Sequence, residues 1–366
     1  MDTKFKDPVL RFFISFIGLV FFFIVLKSLK QIFIPLTISY FLYFLFEPLN
    51  IYLTKKKLPY SLAIIIDFTI IIIVLFGISN IIISQFSKFS TELPIYELKL
   101  NNLISTTASN IGIKDPIFTN FNLAEILKSL NYADFAGGFF NSTLNFFSSM
   151  FFILFFFIFI LNSHNRILEV IKERYLEIHL KPSSSSNNKT IQANKNSQIN
   201  KSTQIEKTFK SITKQVQNYI LVKFLVSLAT GILVGLILLI FNVDFIIVWV
   251  VLTILLNFIP NIGSIISVIL PTLMAIVQFE SFAIALMMAA ILGFAQNLMG
   301  NIIEPKIMGN KLGLNPLVIL ISLLLWGYVW GITGMFLSVP LTAIIKILLS
   351  NSNNKNLQFY GKLLGN

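Results

Sequence analysis

The chain has 366 residues, 55% of them hydrophobic and 12% charged, with a mean hydropathy of +0.81 and 38 phenylalanines. Globular domains carry about a quarter of their residues as charges, so this composition excludes a water-soluble fold and indicates an all-α polytopic membrane protein. The formal charge of +12 does not point to nucleic acid, because the basic residues fall in loops between apolar runs and read as topology signals; no cysteine occurs, so disulfides and thiolate metal sites are excluded.

In chain order, Lys4, Lys6 and Arg11 precede an apolar run from Phe12 to Leu26. It is too long and too Phe-rich for a signal peptide and reads as the first span. The second run, Ile32 to Leu53, carries Pro35 near its start and Glu47-Pro48 near its end, and meets Lys55, Lys56 and Lys57, which place its end in the cytoplasm. The third, from about Ser61 to Ser84, holds Asp67 and completes the N-terminal membrane helices, residues 1–84. Glu47 and Asp67 thus flank one basic hairpin. Pairing with its lysines at the interface is the first expectation, and an ion-coupling site for a cation or proton is the alternative.

Residues 85–145 are mixed and amphipathic, with Lys88, Lys99, Lys114 and Lys128 set against Glu92, Glu97, Asp115, Glu125 and Asp134. Lacking a positive excess, this region is expected outside; Phe118, Phe121, Ile126, Leu127 and Leu130 recur at helical spacing, suited to the membrane surface. A fourth span, residues 146–161, leads back to a cytosolic basic segment, residues 162–218, with ten Lys/Arg against four Glu. Its middle, SSSSNNKTIQANKNSQINKS, is low-complexity polar sequence expected to be partly disordered. His164 and His179 lie in this segment without a nearby ligand partner, so no metal site is expected.

Residues 219–349 form the C-terminal membrane region. Tyr219 to Phe241 carries Gly231 and Gly235 at GxxxG spacing, a close-packing face. Two blocks of similar build follow, Asp244 to Phe279 with PNIGSIISVILP and Leu314 to Leu349 with WGITGMFLSVP. Each is short for two full spans and a turn across a hydrocarbon core of about 30 Å, so each reads as a re-entrant helical hairpin. Their breaks are Pro260 and Gly263 in the first and Gly327, Gly331 and Gly334 in the second, with Pro271 and Pro340 expected as further breaks in the returning arms. With the span Ser281 to Gly300 between them, the architecture is about six full transmembrane spans plus two short Gly/Pro-broken hairpins, or eight or more spans if the hairpins cross fully. Parity leaves both termini cytoplasmic in either case, including the tail, residues 350–366.

Between the hairpins runs QNLMGNIIEPKIMGNKLGLNP, a polar seam in apolar sequence. Gly300, Pro305, Gly309, Gly313 and Pro316 interrupt it, and Glu304-Pro305 predicts a helix end or break. Broken helices inside a bilayer tend to line transport pathways, whereas a short cytosolic loop is the plainer reading. The expected solute or ion pathway is Asn257, Asn261, Gln296, Asn297, Asn301, Glu304 and Lys306, with Asn257/Asn261 and Asn297/Asn301 each one helical turn apart. Glu304, the ionisable member, is expected near the interface, paired with Lys306 or Lys311, or protonated part of the time. No GxSxG, HExxH or apposed intramembrane aspartate pair occurs, so neither an enzyme nor a cofactor or metal is expected. A membrane scaffold without transport is a third class, and the polar lining argues against it.

The segments PNIGSIISVILP, NIIEPKIMGNKLGLNPLVIL and GITGMFLSVPLTAIIKIL, in that order, together with IFIPLTISYFLYFLFEPLNIYLTKKKLP, resemble the autoinducer-2 exporter family, the PerM-like permeases. The resemblance covers nearly the whole chain except Ser183 to Ser202. It implies a bacterial inner-membrane transporter that exports a small polar solute such as the quorum-sensing signal autoinducer-2, or a sodium(lithium)/proton antiporter of the same family. It also implies a homo-oligomer, a pentamer being one form, whose partners are the lipid bilayer and a small polar solute or cation.

Overall fold

The computed structural model describes residues 8–113, 115, 148–163, 166, 169–170, 188–308, 313–350, 352 and 355–365. Gly309, His164, His179, Lys311 and most of the second half of the 85–145 region lie outside these residues. In chain order the helices are α1 (Pro8–Ser28), α2 (Lys30–Lys55), α3 (Tyr60–Ile111), α4 (Ser148–Ser163), α5 (Asn188–Phe241), α6 (Ile246–Leu256), α7 (Ile262–Phe279) and α8 (Phe282–Asn297). A π-helix, Leu298–Ile303, leads into α9 (Glu304–Met308), and α10 (Pro316–Trp330), α11 (Ile332–Ser350) and α12 (Lys355–Leu363) follow. Among the described residues the one β contact is an antiparallel bridge between Leu314 and Gly365.

Among the described residues six segments are long and apolar enough to cross a bilayer: Lys30–Lys55, Tyr60–Ile111, Thr213–Phe241, Ile262–Phe279, Phe282–Met308 and Ile332–Ser350. The protein is therefore the all-α polytopic membrane protein that its composition predicts. Each hairpin is unequal, pairing a short arm (α6, 11 residues; α10, 15 residues) with a long one (α7, 18 residues; α11, 19 residues). At 1.5 Å per residue α6 rises about 16 Å, half the hydrocarbon thickness.

The chain forms two compact units. One comprises residues 1–64, 149–221 and 311–366, and the other residues 65–148 and 222–310. The first unit holds the hairpin α10–α11, packed with α1 around Leu26, Trp326, Val329, Trp330 and Leu337. The Trp330 indole donates to the Leu26 carbonyl at 3.0 Å, Tyr60 donates to the Leu161 carbonyl, and the Ser39 hydroxyl lies 2.7 Å from the Ile153 carbonyl. The second unit packs α5, α7 and α8 through Val234, Leu238, Ala275, Ala285, Met288 and Leu292.

One device recurs in both hairpins. A Cβ on Gly263 would fall 1.8 Å from the Leu256 carbonyl oxygen, and one on Gly334 1.9 Å from that of Trp326. Each hairpin thus closes by laying the start of its returning arm directly on the end of its entering arm, an approach open only to glycine. The turns themselves use Asn261 and Gly331 at positive φ (60° and 65°).

Three sequence expectations meet a different outcome. Pro271 and Pro340 sit inside continuous helices, as Pro35, Pro48 and Pro94 do; membrane helices tolerate proline where neighbours satisfy the freed carbonyl. Glu304-Pro305 does not end its helix. The chain widens into the π-turn at 298–303, with the Glu304 amide bonded to the Met299 carbonyl, and this wider turn accommodates the proline ring that would clash in regular α geometry. The polar insert, expected to be partly disordered, is helical from Asn188, as a backward extension of the membrane helix α5. It contains neither Gly nor Pro from 188 to 212, and extending a formed helix is far cheaper than nucleating one.

Candidate functional site

In the second unit, α5 turns one face inward: Lys223, Ser227, Thr230, Val234 and Leu238 are all buried. The upper part of this face is apolar and joins the core just described. The lower part is polar, and the groups packed there form a layer inside otherwise hydrophobic helices.

At its lower edge the Lys223 ammonium lies 2.7 and 2.8 Å from the two carboxylate oxygens of Glu304, with side-chain exposures of 7% and 17%. Glu304 follows directly on the π-turn, its amide bonded to the Met299 carbonyl. One turn higher, the Asn257 amide donates to the Ser227 hydroxyl at 3.0 Å, both groups buried. Gly231 and Gly235 face Ile254 and Val250 of α6, so the GxxxG pair does serve as a close-packing face and sets the register between α5 and α6.

Two further groups share this depth and a third lies one turn above. Measured along the helices from Phe241, Phe279 and Phe282, Ser227, Ser267 and Gln296 lie about 18–21 Å down, and Thr253 stands nearly opposite Gly231, about 15 Å down. Thr253, Ser267 and Gln296 are 1%, 2% and 5% exposed. The Thr253 and Ser267 hydroxyls and both polar atoms of the Gln296 amide have no hydrogen-bond partner among the described residues. Unpaired buried polar groups are costly, by about 1–3 kcal/mol each, and their presence in a native fold calls for a reason.

The second hairpin supplies the contrast. Its buried polar groups are mutually satisfied: Ser322 donates to the Ser338 carbonyl and bonds Thr342, and the Trp326 indole donates to Thr342. The two hairpins share the glycine closure, yet only the first leaves hydroxyls unengaged.

Of the residues expected from sequence, the layer contains Asn257, Gln296 and Glu304. Asn261, Asn297, Asn301, Pro305 and Lys306 are exposed on the protomer. Asn261 leaves the Asn257 face because α6 ends at Leu256 and the intervening turn breaks the helical register. Among the described residues the partner of Glu304 is Lys223 rather than Lys306, a partner that sequence reading missed; Lys311 lies outside these residues. The only local signal of Lys223 is a lone charge inside an apolar run, YILVKFLVS. Asp67 is fully buried in the second unit, and Glu47, in the first, accepts from Tyr43 at 3.3 Å. Pro260 lies in the first hairpin's turn, Gly313 takes a positive φ of 52°, and Pro316 opens α10.

Comparison with known proteins adds an independent line. The family model described as AI-2E family transporter matches residues 13–354. A Haemophilus influenzae protein assigned provisionally to transport is 29% identical over 343 residues, 93% of each chain. A Borreliella burgdorferi protein with the same provisional description is 28% identical over 326 residues, 89% of this chain and 83% of that one. The AI-2 transport protein TqsA of Escherichia coli is 38% identical over 137 residues, 37% of this chain and 40% of its own.

Proposed function

The chain belongs to the AI-2E transporter family, and from that premise we propose that it exports a small polar solute such as autoinducer-2 across a bacterial inner membrane, by way of the buried polar layer of its second unit. The observation that supports this reading is the layer itself. An ion pair, an amide–hydroxyl pair, two free hydroxyls and a free amide lie among helices whose inner surface is otherwise largely apolar. A solute bearing donors and acceptors can replace the missing partners of Thr253, Ser267 and Gln296, which gives such a solute a station part-way across the bilayer. Glu304, held by Lys223, is the group whose charge can couple that passage to a proton or cation gradient. Cytoplasmic termini and a homo-oligomeric assembly belong to the same reading.

A sodium(lithium)/proton antiporter is the second reading, favoured by the same Glu304. Inside-out vesicles separate the two: autoinducer-2 accumulation that is lost in Gln296→Leu and Asn257→Leu supports solute export. Exchange of sodium or lithium for protons, with no solute accumulation, supports the antiporter. Unchanged solute flux in both variants would remove the layer from the path.

A further inference from the structure

In the first unit, α2 carries one acidic residue, Glu47. Read along the helix, it stands about 12 Å inside the Lys55 end of the span. Its Oε2 is buried and has no hydrogen-bond partner among the described residues. The lysines expected from sequence to pair with it do not: no ion pair joins Glu47 to Lys55, Lys56 or Lys57, and the Lys56 ammonium lies over the Tyr52 ring, 4.7 Å from its centroid. A carboxylate at that depth calls for a counter-charge, a proton or a bound cation.

The contact with Tyr43 favours the cation. Tyr43 lies one turn earlier on the same helix face, is 5% exposed, and holds its hydroxyl 3.3 Å from Glu47 Oε1. O–H···O hydrogen bonds run at about 2.5–3.0 Å, so this contact is long for one. It matches the edge between two oxygens bound side by side to one hard cation: metal–oxygen distances of about 2.3–2.6 Å at right angles separate the oxygens by about 3.3–3.7 Å. A proton is served less well. On Oε2 it would find no acceptor, and on Oε1 only the long contact. Asn50, 4% exposed, follows on the same face and brings an amide oxygen.

We propose that Glu47, Tyr43 and Asn50 form a binding site for one sodium ion in the first unit, a site of its own beside the polar layer of the second. The Glu47 carboxylate supplies the charge, and the phenol and amide oxygens are neutral ligands. Valence follows from that single charge: a monovalent ion neutralises the site, whereas a divalent one would leave an excess charge inside the span. Size follows from the oxygen spacing. Sodium has nearly the radius of calcium, to which the spacing above applies, while the larger potassium ion spreads its ligand oxygens farther apart. Glu47 is itself only partly buried, which leaves the ion a way in and room to keep part of its water.

Binding of radioactive sodium to the purified full-length chain tests the site without a transport assay, in detergent at one pH, with ionic strength held constant by choline chloride. The wild type should bind sodium saturably, and potassium should displace it more weakly than unlabelled sodium does. Glu47→Gln should weaken binding by about tenfold or more, and Tyr43→Phe by a smaller factor. Glu304→Gln and Gln296→Leu, both in the second unit, should bind as the wild type does, so the outcome is separable from that of the export reading. Thermal unfolding in the same buffers gives a second readout: sodium should raise the midpoint of the wild type and leave that of Glu47→Gln unmoved. Should Glu47→Gln fail to fold, Glu47→Asp, which keeps the charge but draws it back from the phenol, carries the test with Tyr43→Phe. A wild type without saturable sodium binding, equal binding in folded Glu47→Gln, potassium displacing as well as sodium, or loss of binding in Glu304→Gln would each overturn the site.

Discussion

Lys223 and Glu304, 81 positions apart in the chain, form a two-oxygen ion pair within a single unit. Removing one member of a buried pair leaves an uncompensated charge and costs about 3–5 kcal/mol, whereas replacing both with apolar groups of similar volume is often neutral. Lys223→Met or Glu304→Leu alone should therefore destabilise the detergent-solubilised protein by that amount in thermal unfolding, and the double variant should recover most of it. Transport should not recover. Glu304→Gln in proteoliposomes should lose gradient-coupled flux, and its pH profile should flatten; wild-type flux and profile in that variant would remove Glu304 from the mechanism.

Gly263 and Gly334 close the two hairpins by backbone contact. Gly263→Ala and Gly334→Ala should each reduce the yield of folded protein severely, because the new methyl group meets a carbonyl oxygen rather than a side chain that can move. Gly18→Ala and Gly293→Ala, with nothing within 4 Å, should be neutral or slightly stabilising, since alanine is the better helix former by about 1 kcal/mol. Size-exclusion profiles of the four variants make the comparison, and equal profiles would show that the hairpins tolerate a wider turn.

The absence of native cysteine makes accessibility labelling direct. A cysteine at Ser105 should react with an impermeant reagent from outside intact cells, and one at Ser185 should not. Because α3 bonds to Asp244 and Gln278 within the second unit, cysteines at Asn242 and Glu280 should label from the same side as Ser105. A cysteine at Lys306 should label from the opposite side. Labelling of Asn242 and Lys306 from one side would contradict the depth assigned to the polar layer.

The C-terminal helix α12 clasps the entry to the second hairpin. The Leu364 carbonyl accepts from the Asn315 amide at 3.2 Å, Lys346 donates to the Gly313 carbonyl at 2.6 Å, and Gly361 sits against the Ser350 backbone. Gly361→Val should push α12 away. Truncation after Asn354 removes the clasp and should cost about 1–2 kcal/mol through lost hydrogen bonds and packing. Limited proteolysis near Gly313, faster in both variants than in wild type, is the expected sign.

How much of this was legible in the sequence varies with range. Composition fixed the helical membrane class, and the Gly/Pro positions located both hairpins, because those signals are local. The i, i+4 spacing of Asn257/Asn261 and Asn297/Asn301 could show that two residues share a face, but not which face turns inward. It failed at Asn261, where the helix had already ended, and both Asn297 and Asn301 lie on the outward side. The π-turn was not legible, since an extra residue per turn leaves no periodic mark, and it shifts the phase of everything that follows it. Lys223 with Glu304, and Tyr96 with Asp244 at a separation of 148 positions, were out of reach for the plainest reason: a lone charge in an apolar run names no partner.

Thr253, Ser267 and Gln296 hold this protein below its own stability optimum. Where a buried polar group has no partner, a residue of similar shape without the polar atoms can be neutral or better, and stabilising substitutions of that kind commonly exact a functional cost. A thermostability screen run to improve purification would thus select valine at 253, alanine at 267 and leucine or methionine at 296 early. On the proposed reading of the polar layer, those hits would give a hardier molecule that no longer carries solute, so a variant library scored on melting temperature alone would converge away from transport.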